Sequence, residues 1–153
     1  MGAPRKPPIR IPGDIATLAY LAGIVDGEGH IGSSVAVAKR SLNESRNVRV
    51  VVINTDLRLI EWLEQTLGGS RGTLSRTSPR WKTSYRWCVY GHNADRLLRA
   101  VLPFLLLKRE QAELAIALRA GPRTAFTELP PGVVRRRKAL ASRLGALTKR
   151  GPH

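Results

Sequence analysis

Helix-like and strand-like hydrophobic patterns alternate along this chain, and their order constrains the fold more than any other feature. The first helical pattern covers residues 15–25, with Asp14 as its N-cap, and two closely spaced glycines end it near residues 26–29. Strand-like alternation follows in residues 31–40 and 46–54, which a polar, turn-like segment joins. This first part of the chain is therefore predicted to be a helix followed by a β-hairpin.

A second helix and a second hairpin follow, and helices alone complete the chain. Asp56 is the expected N-cap of the second helix, which Gly68 ends. The hairpin is expected at residues 72–90, and two closely spaced helices are expected at residues 93–103 and 107–120. A basic C-terminal helix is expected at residues 133–149. The order α-ββ-α-ββ-α-α predicts an α+β fold with the helices on one face of a curved antiparallel sheet.

The length and the composition of the two ends indicate one domain with flanking segments. At 153 residues the chain suits a single hydrophobic core. Prolines and basic residues at positions 1–13 predict an extended basic arm. The domain is expected over residues 14–120, and residues 121–153 are expected to form a basic tail that contains the last helix.

Positive charge is the strongest signal in the composition. The chain has 26 Lys and Arg residues against 11 Asp and Glu residues, which gives a net charge of +15. Such an excess implies a polyanionic partner. Arginine binds phosphate and guanine through two parallel hydrogen bonds, so its abundance favours nucleic acid over lipid as that partner.

The rest of the composition excludes several classes of protein. A single cysteine, Cys88, allows no intramolecular disulfide, and with three scattered histidines it builds no structural zinc site. No apolar run approaches about 18 residues, so we expect no membrane partner. We also expect no small-molecule cofactor. Because the chain starts without an apolar secretory segment, we expect it in a prokaryotic cytoplasm or a eukaryotic organelle.

Small residues form a stripe along the first helix. Ala19, Gly23 and Gly27 are spaced four residues apart, which places them on one face. Such a stripe lets two helix backbones approach each other closely. The spacing alone is compatible both with a helix of the same chain and with the same helix of a second copy.

Two acids lie at the end of this helix. Asp26 and Glu28 are placed where the helix dipole is negative, which disfavours each carboxylate by about 0.3–1 kcal/mol. Acids in that position favour a bound cation, and Mg²⁺ needs only one or two carboxylates when waters and substrate phosphates complete its shell. The pattern indicates a metal site for phosphoryl chemistry, with an acidic turn of no chemical role as the alternative.

The segment that contains these acids, LAGIVDGEG at residues 21–29, resembles the signature of the LAGLIDADG homing endonucleases position by position. The predicted order of elements is similar to that family over residues 14–120, and a single copy of the signature resembles its homodimeric branch. The resemblance implies an intron-homing enzyme that hydrolyses both strands of a long DNA site and leaves 5′ phosphates and 3′ overhangs. Mg²⁺ is the implied metal, and Ca²⁺ is expected to support binding with little cleavage.

The resemblance also assigns roles to residues of the signature. The family's second acid binds the catalytic metal, and this acid corresponds to Glu28, with the carbonyl of Gly27 as a further ligand. The first acid of the signature, which corresponds to Asp26, serves the structure of the helix interface. The implied dimer interface consists of Ala19, Gly23, Asp26 and Gly27.

Two catalytic candidates lie outside the signature. PFLLLKREQ at residues 103–111 is similar to a family stretch whose lysine borders the catalytic pocket, which makes Lys108 a candidate. The alternative for Lys108 is an ordinary lysine on a helix surface. Asn54, at the end of the second strand, corresponds to a polar residue that positions water in the family.

The uncovered face of the sheet is the predicted DNA surface, because a two-stranded β-ribbon fits the major groove. In the second strand Val48, Val50 and Val52 are expected in the core, which turns the residues between them outward. Cys88 is expected on the exposed face of the fourth strand. The candidate DNA contacts are Ser34, Arg40, Asn47, Arg49, Ser75, Arg76, Arg80, Lys82 and Arg86.

Two other functions are compatible with these features. A LAGLIDADG RNA maturase or splicing cofactor without nuclease activity would have a similar basic surface, and so would a DNA-binding regulator built on this fold. A cofactor that only binds RNA has no need of an acid at position 28. The acid and lysine positions therefore favour the nuclease.

Overall fold

The computed structural model describes residues 6–36, 43, 45–76, 78–121 and 127–149. The helices in these ranges are α1 (Ile15–Glu28), α2 (Leu57–Leu67), α3 (Gly91–Val101), α4 (Arg109–Arg119) and α5 (Pro131–Thr148), with a short 3₁₀ helix over Leu102–Phe104. The strands are β1 (Gly29–Ala36), β2 (Ser45–Asn54), β3 (Ser70–Leu74) and β4 (Ser84–Tyr90). This order is the one that the hydrophobic patterns predict.

The four strands form one antiparallel sheet in the order β1-β2-β4-β3. Val48, Val50 and Val52 of β2 are fully buried under the helices, and Trp87 and Val89 of β4 lie beside them. The intervening residues of both strands point to the opposite face of the sheet. The predicted α+β fold, with helices on one sheet face, is confirmed.

The helices contribute the other half of the core. Helices α2 and α3 have strongly one-sided apolar patterns and pack their buried faces on the central strands. Helix α5 packs against α4 and along the edge strand β1, with Leu144 buried and Arg143 ion-paired with Glu110 of α4. The buried residues of α1 are Leu21, Ala22, Ile24 and Val25.

The extended segment before α1 is fixed to the domain by hydrogen bonds and by the apolar side chains of Ile9 and Ile11. Ile9 is buried in the main core. Its backbone N–H donates to Oδ1 of Asn93 at 3.0 Å, and its carbonyl accepts from Arg96 at 2.7 Å. The second half of the predicted arm therefore crosses the start of α3. The division into an arm at 1–13, a domain at 14–120 and a tail at 121–153 stays a prediction.

The predicted end of the first helix near residues 26–29 is confirmed. Helix α1 continues past Val25 to Glu28, because the N–H of Gly29 still bonds to the carbonyl of Val25 and no residue before it needs a positive φ. The predicted exposure of Cys88 is wrong. Cys88 lies on the predicted sheet face, between Val51 and Ser70 of the neighbouring strands, but only 3% of it is exposed. None of the helices in the described ranges is long and apolar enough to cross a membrane.

Candidate active site

The first acid at the end of α1 is engaged by its own chain. The carboxylate of Asp26 accepts hydrogen bonds from the backbone N–H groups of Leu106, Leu107 and Lys108, at 2.8, 3.1 and 3.0 Å. These amides precede α4 and lack helical acceptors of their own. Asp26 therefore fixes the segment between the 3₁₀ helix and α4 to the end of α1.

Lys108 makes the reciprocal connection. Its ammonium donates to the carbonyl oxygen of Val25 at 2.9 Å and to that of Gly29, both at the end of α1. A cation is favourable there because these carbonyls form the negative end of the helix dipole. Burial lowers the pKa of Lys108, and the nearby carboxylates of Asp26 and Glu28 oppose that shift. Each of the two segments is thus held by a charged side chain of the other.

The second acid differs from the first in every contact. Glu28 is exposed, and its carboxylate forms no hydrogen bond or ion pair with any residue that the structure describes. Lys108 lies close enough to interact with its charge. A carboxylate held at a helix C-terminus without a partner is electrostatically unfavourable until a cation binds.

An open cavity of about 510 Å³ adjoins the end of α1 on the side of Asp26. Asp26, Gly27, His30 and Lys108 form part of its wall, and Leu147 and Thr148 at the end of α5 form another part. The hydroxyl of Thr148 donates to the carbonyl of Leu144 at 2.6 Å and lies 3.3 Å from the carbonyl oxygen of Ile31 in β1, so the end of α5 lies beside the signature. Sequence patterns do not predict that the C-terminal helix ends at this cavity, because its placement depends on long-range packing.

His30, directly after the signature on β1, lies over a glycine. A Cβ built on Gly32 would be only 2.7 Å from Nε2 of His30 and 3.6 Å from Nε of Arg49. Burial, followed by the positive charges of Arg49 and Lys108, lowers the pKa of His30. A glycine inside a strand often marks a close approach of this kind, and that signal was present in the sequence.

The small-residue stripe of α1 is uncovered. Ala19, Gly23 and Gly27 are exposed, and a Cβ added at Gly23 or Gly27 would meet no atom within 4 Å. Packing of the stripe inside the same chain is therefore wrong. Two large apolar side chains beside the end of the helix, Leu106 and Leu107, are 86% and 78% exposed. The fold itself needs neither glycine, so their small size leaves room for a partner.

The uncovered sheet face carries four of the predicted DNA contacts. Strand register places Ser34 opposite Asn47, Gly32 opposite Arg49, and Ile53 opposite Arg86, all on that face. Four more predicted contacts are exposed in the connection between β3 and β4, namely Ser75, Arg76, Arg80 and Lys82. Arg40 lies outside the described residues. Their contact with DNA stays a prediction.

Asn54 lies at the sheet end where α1 finishes. It follows Val52, the partner of Gly29, by two residues. Its Oδ1 accepts a hydrogen bond from the N–H of Asp56 at 2.7 Å, which shapes the turn into α2. This contact is a structural use of the side chain. Its catalytic role stays a prediction.

Solved structures with this arrangement are homing endonucleases. The homing endonuclease I-CvuI, in complex with the I-CreI target in 2 mM Mg with the DNA not cleaved, is 25% identical to this chain. That match covers 90% of this chain and 85% of the other, with a TM-score of 0.66. The archaeal intron-encoded homing endonuclease I-Vdi141I, complexed with DNA, is 15% identical over 90% and 87% of the two chains, with a TM-score of 0.64.

A third solved structure with a similar fold is a LAGLIDADG homing endonuclease. The I-SmaMI LAGLIDADG homing endonuclease, bound to cleaved DNA, has a TM-score of 0.53 and 17% identity, and the match covers 92% of this chain and 47% of the other. The chain has the fold of a LAGLIDADG homing endonuclease. No family model and no curated protein matches the sequence.

The donor set at the signature of this LAGLIDADG fold fits a shared metal better than a site enclosed by one chain. The described residues contain no group of three His, Cys, Asp or Glu side chains that could hold a metal ion. One free carboxylate, Glu28, and the carbonyl of Gly27 remain. Mg²⁺ binds through one or two carboxylates and completes its shell with waters and phosphates. The residues therefore fit a metal whose other ligands come from DNA.

Proposed function

We propose that this protein is a homodimeric, site-specific DNA endonuclease that hydrolyses both strands of a long duplex site. One observation carries the proposal: the unpartnered carboxylate of Glu28 lies where the uncovered helix stripe meets the uncovered sheet face. Metal binding, dimer contact and DNA contact thus converge on one end of one helix. The DNA-bound homing endonucleases with this fold support the same conclusion.

The dimer forms through α1. Two copies of the stripe pack against each other about a two-fold axis, and each helix then ends at the axis with its own Glu28. Two antiparallel DNA strands have the same two-fold symmetry, so one gene product supplies one acid for each strand. The exposed Leu106 and Leu107 extend the apolar surface on either side of the helix pair.

Glu28 and the carbonyl of Gly27 would hold the metal, Mg²⁺ in the proposed reaction. When bound, the metal activates a water molecule and stabilises the leaving oxygen in an in-line displacement. Lys108 holds the carbonyls of Val25 and Gly29 and so keeps the end of α1 in place. Its positive charge also stabilises the negative charge that develops on the phosphate. The family resemblance supports products with 5′ phosphates and 3′ overhangs.

The sheet face binds the major groove. Strand residues rise about 3.3 Å and base pairs about 3.4 Å, so the ten residues of β2 follow about ten base pairs of one half-site. The net charge of +15 supplies non-specific attraction to the phosphates. Side chains on the face, among them Asn47, Arg49 and Arg86, supply contacts with base edges.

Glu28→Gln tests the metal assignment, because it keeps the shape of the side chain and removes its charge. We expect this variant to bind a duplex selected from a randomised library as tightly as the wild type, or slightly tighter. Its single-turnover cleavage in Mg²⁺ should fall by about three orders of magnitude or more, as expected when a metal that activates water is lost. Wild-type protein in Ca²⁺ should bind and cut little.

Gln111, which also borders the cavity, provides a control position. Gln111→Glu adds a carboxylate near the site and should not restore cleavage to Glu28→Gln, because a ligand at the axis is still missing. Near wild-type cutting by Glu28→Gln would overturn the metal assignment. Binding without any cutting by the wild-type protein would favour the maturase or the regulator.

Salt dependence tests the DNA surface as a whole. With about 6–10 phosphate contacts per complex, the affinity for DNA should fall by about 10³–10⁵ between 50 and 200 mM salt. Fluorescence anisotropy on a labelled duplex measures this slope. A nearly flat response would show that the positive charge does not serve DNA binding.

A further inference from the structure

The imidazole of His30 fills a notch in the DNA-facing side of the sheet. His30 and Gly32 are on the same face of β1, two residues apart. Gly32 has no side chain of its own there, and Nε2 of His30 lies 2.7 Å from the point that a Cβ would occupy. The imidazole therefore reaches along β1 from position 30 to position 32. Any other residue at position 32 would push it away.

Arg49 lies on the other side of the same notch. Gly32 is its partner on β1, and Tyr90 is its partner on β4, so the arginine stands in the middle of the face. Its Nε is buried and has no hydrogen-bond partner among the described residues. A buried donor without an acceptor costs free energy. Arg49 also forms no hydrogen bond or ion pair with a described residue, so no part of its own chain uses the fork of the guanidinium.

We propose that His30 is a positioning residue for Arg49, and that together they give the protein a preference for guanine at one position of each half-site. The imidazole occupies the space over Gly32 into which the arginine would otherwise collapse. The guanidinium is thereby kept pointing away from the sheet, where its fork can bind O6 and N7 of guanine. This inference rests on the proposed DNA-binding function.

The register also gives the distance of this position from the cut. Gly32 follows Gly29, the last residue of the signature, by three residues, or about 10 Å along the strand. At about 3.4 Å per base pair, Arg49 reaches a base about three base pairs from the place where Glu28 acts. His30 lies between Glu28 and Gly32 along the chain and also borders the cavity at the end of α1.

The experiment is a base-preference profile of full-length variants in Ca²⁺. Duplexes selected by the wild type from a randomised library are altered one base pair at a time, and the Kd of each is measured. Arg49→Ala should reduce discrimination at one symmetric pair of positions by about 5–150-fold. His30→Ala should reduce it at the same positions by at least threefold, and the double variant should lose no more than Arg49→Ala alone. The control, Arg86→Ala, should affect different positions.

Two further variants separate positioning from loss of fold. Gly32→Ala should displace the imidazole and reproduce the His30→Ala profile, yet have no additional effect in the His30→Ala protein. Its Cβ makes only ordinary contact with Arg49, at 3.6 Å from Nε. His30→Phe should fill the notch and restore most of the preference. Unchanged melting temperatures confirm that each variant is folded.

The outcomes distinguish the two proposals. A His30→Ala profile equal to that of the wild type, or losses that add to those of Arg49→Ala at other positions, would overturn the positioning role while site-specific binding stands. If the wild type selects no sequence from the library, there is no base reading for His30 to support, and both proposals fail.

Discussion

Helix α1 has two faces, and they end in two acids with opposite surroundings. The buried face carries Leu21, Ile24 and Val25, and the acid that follows it, Asp26, accepts three backbone hydrogen bonds from its own chain. The exposed face carries alanine and glycine, and the acid at its end, Glu28, forms no hydrogen bond or ion pair with a described residue. One helix thus combines a face that the monomer needs with a face that it does not.

This difference shows how a short signature can serve folding and function together. The side chains that face inward complete the core, so their loss should lower the stability of the monomer. The side chains that face outward complete nothing within one chain, so their loss should leave the monomer intact and remove assembly or chemistry. Substitutions on the two faces therefore test the assignment directly.

The largest contrast is expected between the two acids. Asp26→Ala should lower the free energy of unfolding by about 2–4 kcal/mol, because hydrogen bonds to a charged group contribute about 1.5–3 kcal/mol each and Asp26 is half-buried. Glu28→Ala should leave it unchanged or raise it by about 0.3–1 kcal/mol, since a carboxylate leaves the negative end of a helix dipole. Urea titration without DNA or metal measures both, and equal losses would contradict the comparison.

A smaller contrast is expected between two neighbouring small residues. Ala22→Leu places extra atoms in the packed core and should cost the monomer about 1–3 kcal/mol. Gly23→Leu has open space around it and should stabilise the isolated helix by up to about 1 kcal/mol. In the dimer, however, Gly23→Leu separates the two helices.

Sedimentation velocity at micromolar concentration distinguishes these effects. Wild type and Gly23→Ala should sediment as dimers, and Gly23→Leu as a folded monomer that no longer cuts DNA. A wild-type protein that binds DNA as a single copy would contradict the dimer.

The smallest effect is expected for an acid at the N-terminus of a helix. Asp56 caps the N-terminus of α2, and hydrogen bonds from the side chain and then the backbone of Arg58 lower its pKa from 3.8 to about 2. A carboxyl whose pKa is lower in the folded state stabilises the protein above its unfolded pKa and loses that effect as the pH falls. The contribution of Asp56 is therefore complete above about pH 4 and disappears toward pH 2.

Asp56→Asn is the matched variant, because asparagine also caps helices but does not titrate. The difference in melting temperature between wild type and Asp56→Asn should shrink as the pH falls from 4 to 2. A difference that stays constant over this range would show that the charge of Asp56 does not stabilise the helix end.

Local patterns predicted the fold, and one short signature predicted the functional end of the molecule. The alternation at Val48, Val50 and Val52 was sufficient to orient β2, because side chains in a strand alternate strictly. The hydrogen bond between the Asp26 carboxylate and the Lys108 amide could not be predicted from local patterns, since the two residues are 82 positions apart and meet only through packing. The same holds for Thr148 beside the cavity and for the burial of Cys88.

The long connections that secure this domain also determine when during synthesis it can close. Ile9 forms its hydrogen bond with Asn93 only after 84 more residues have been synthesised, and Asp26 bonds the amide of Lys108 only after 82 more. Contacts of such high sequence separation slow folding, because loop closure must precede the gain in free energy. A growing chain therefore exposes its valine-rich hairpin until α4 has left the ribosome. We expect the functional end of α1, although encoded in the first fifth of the chain, to be among the last parts to take its final form.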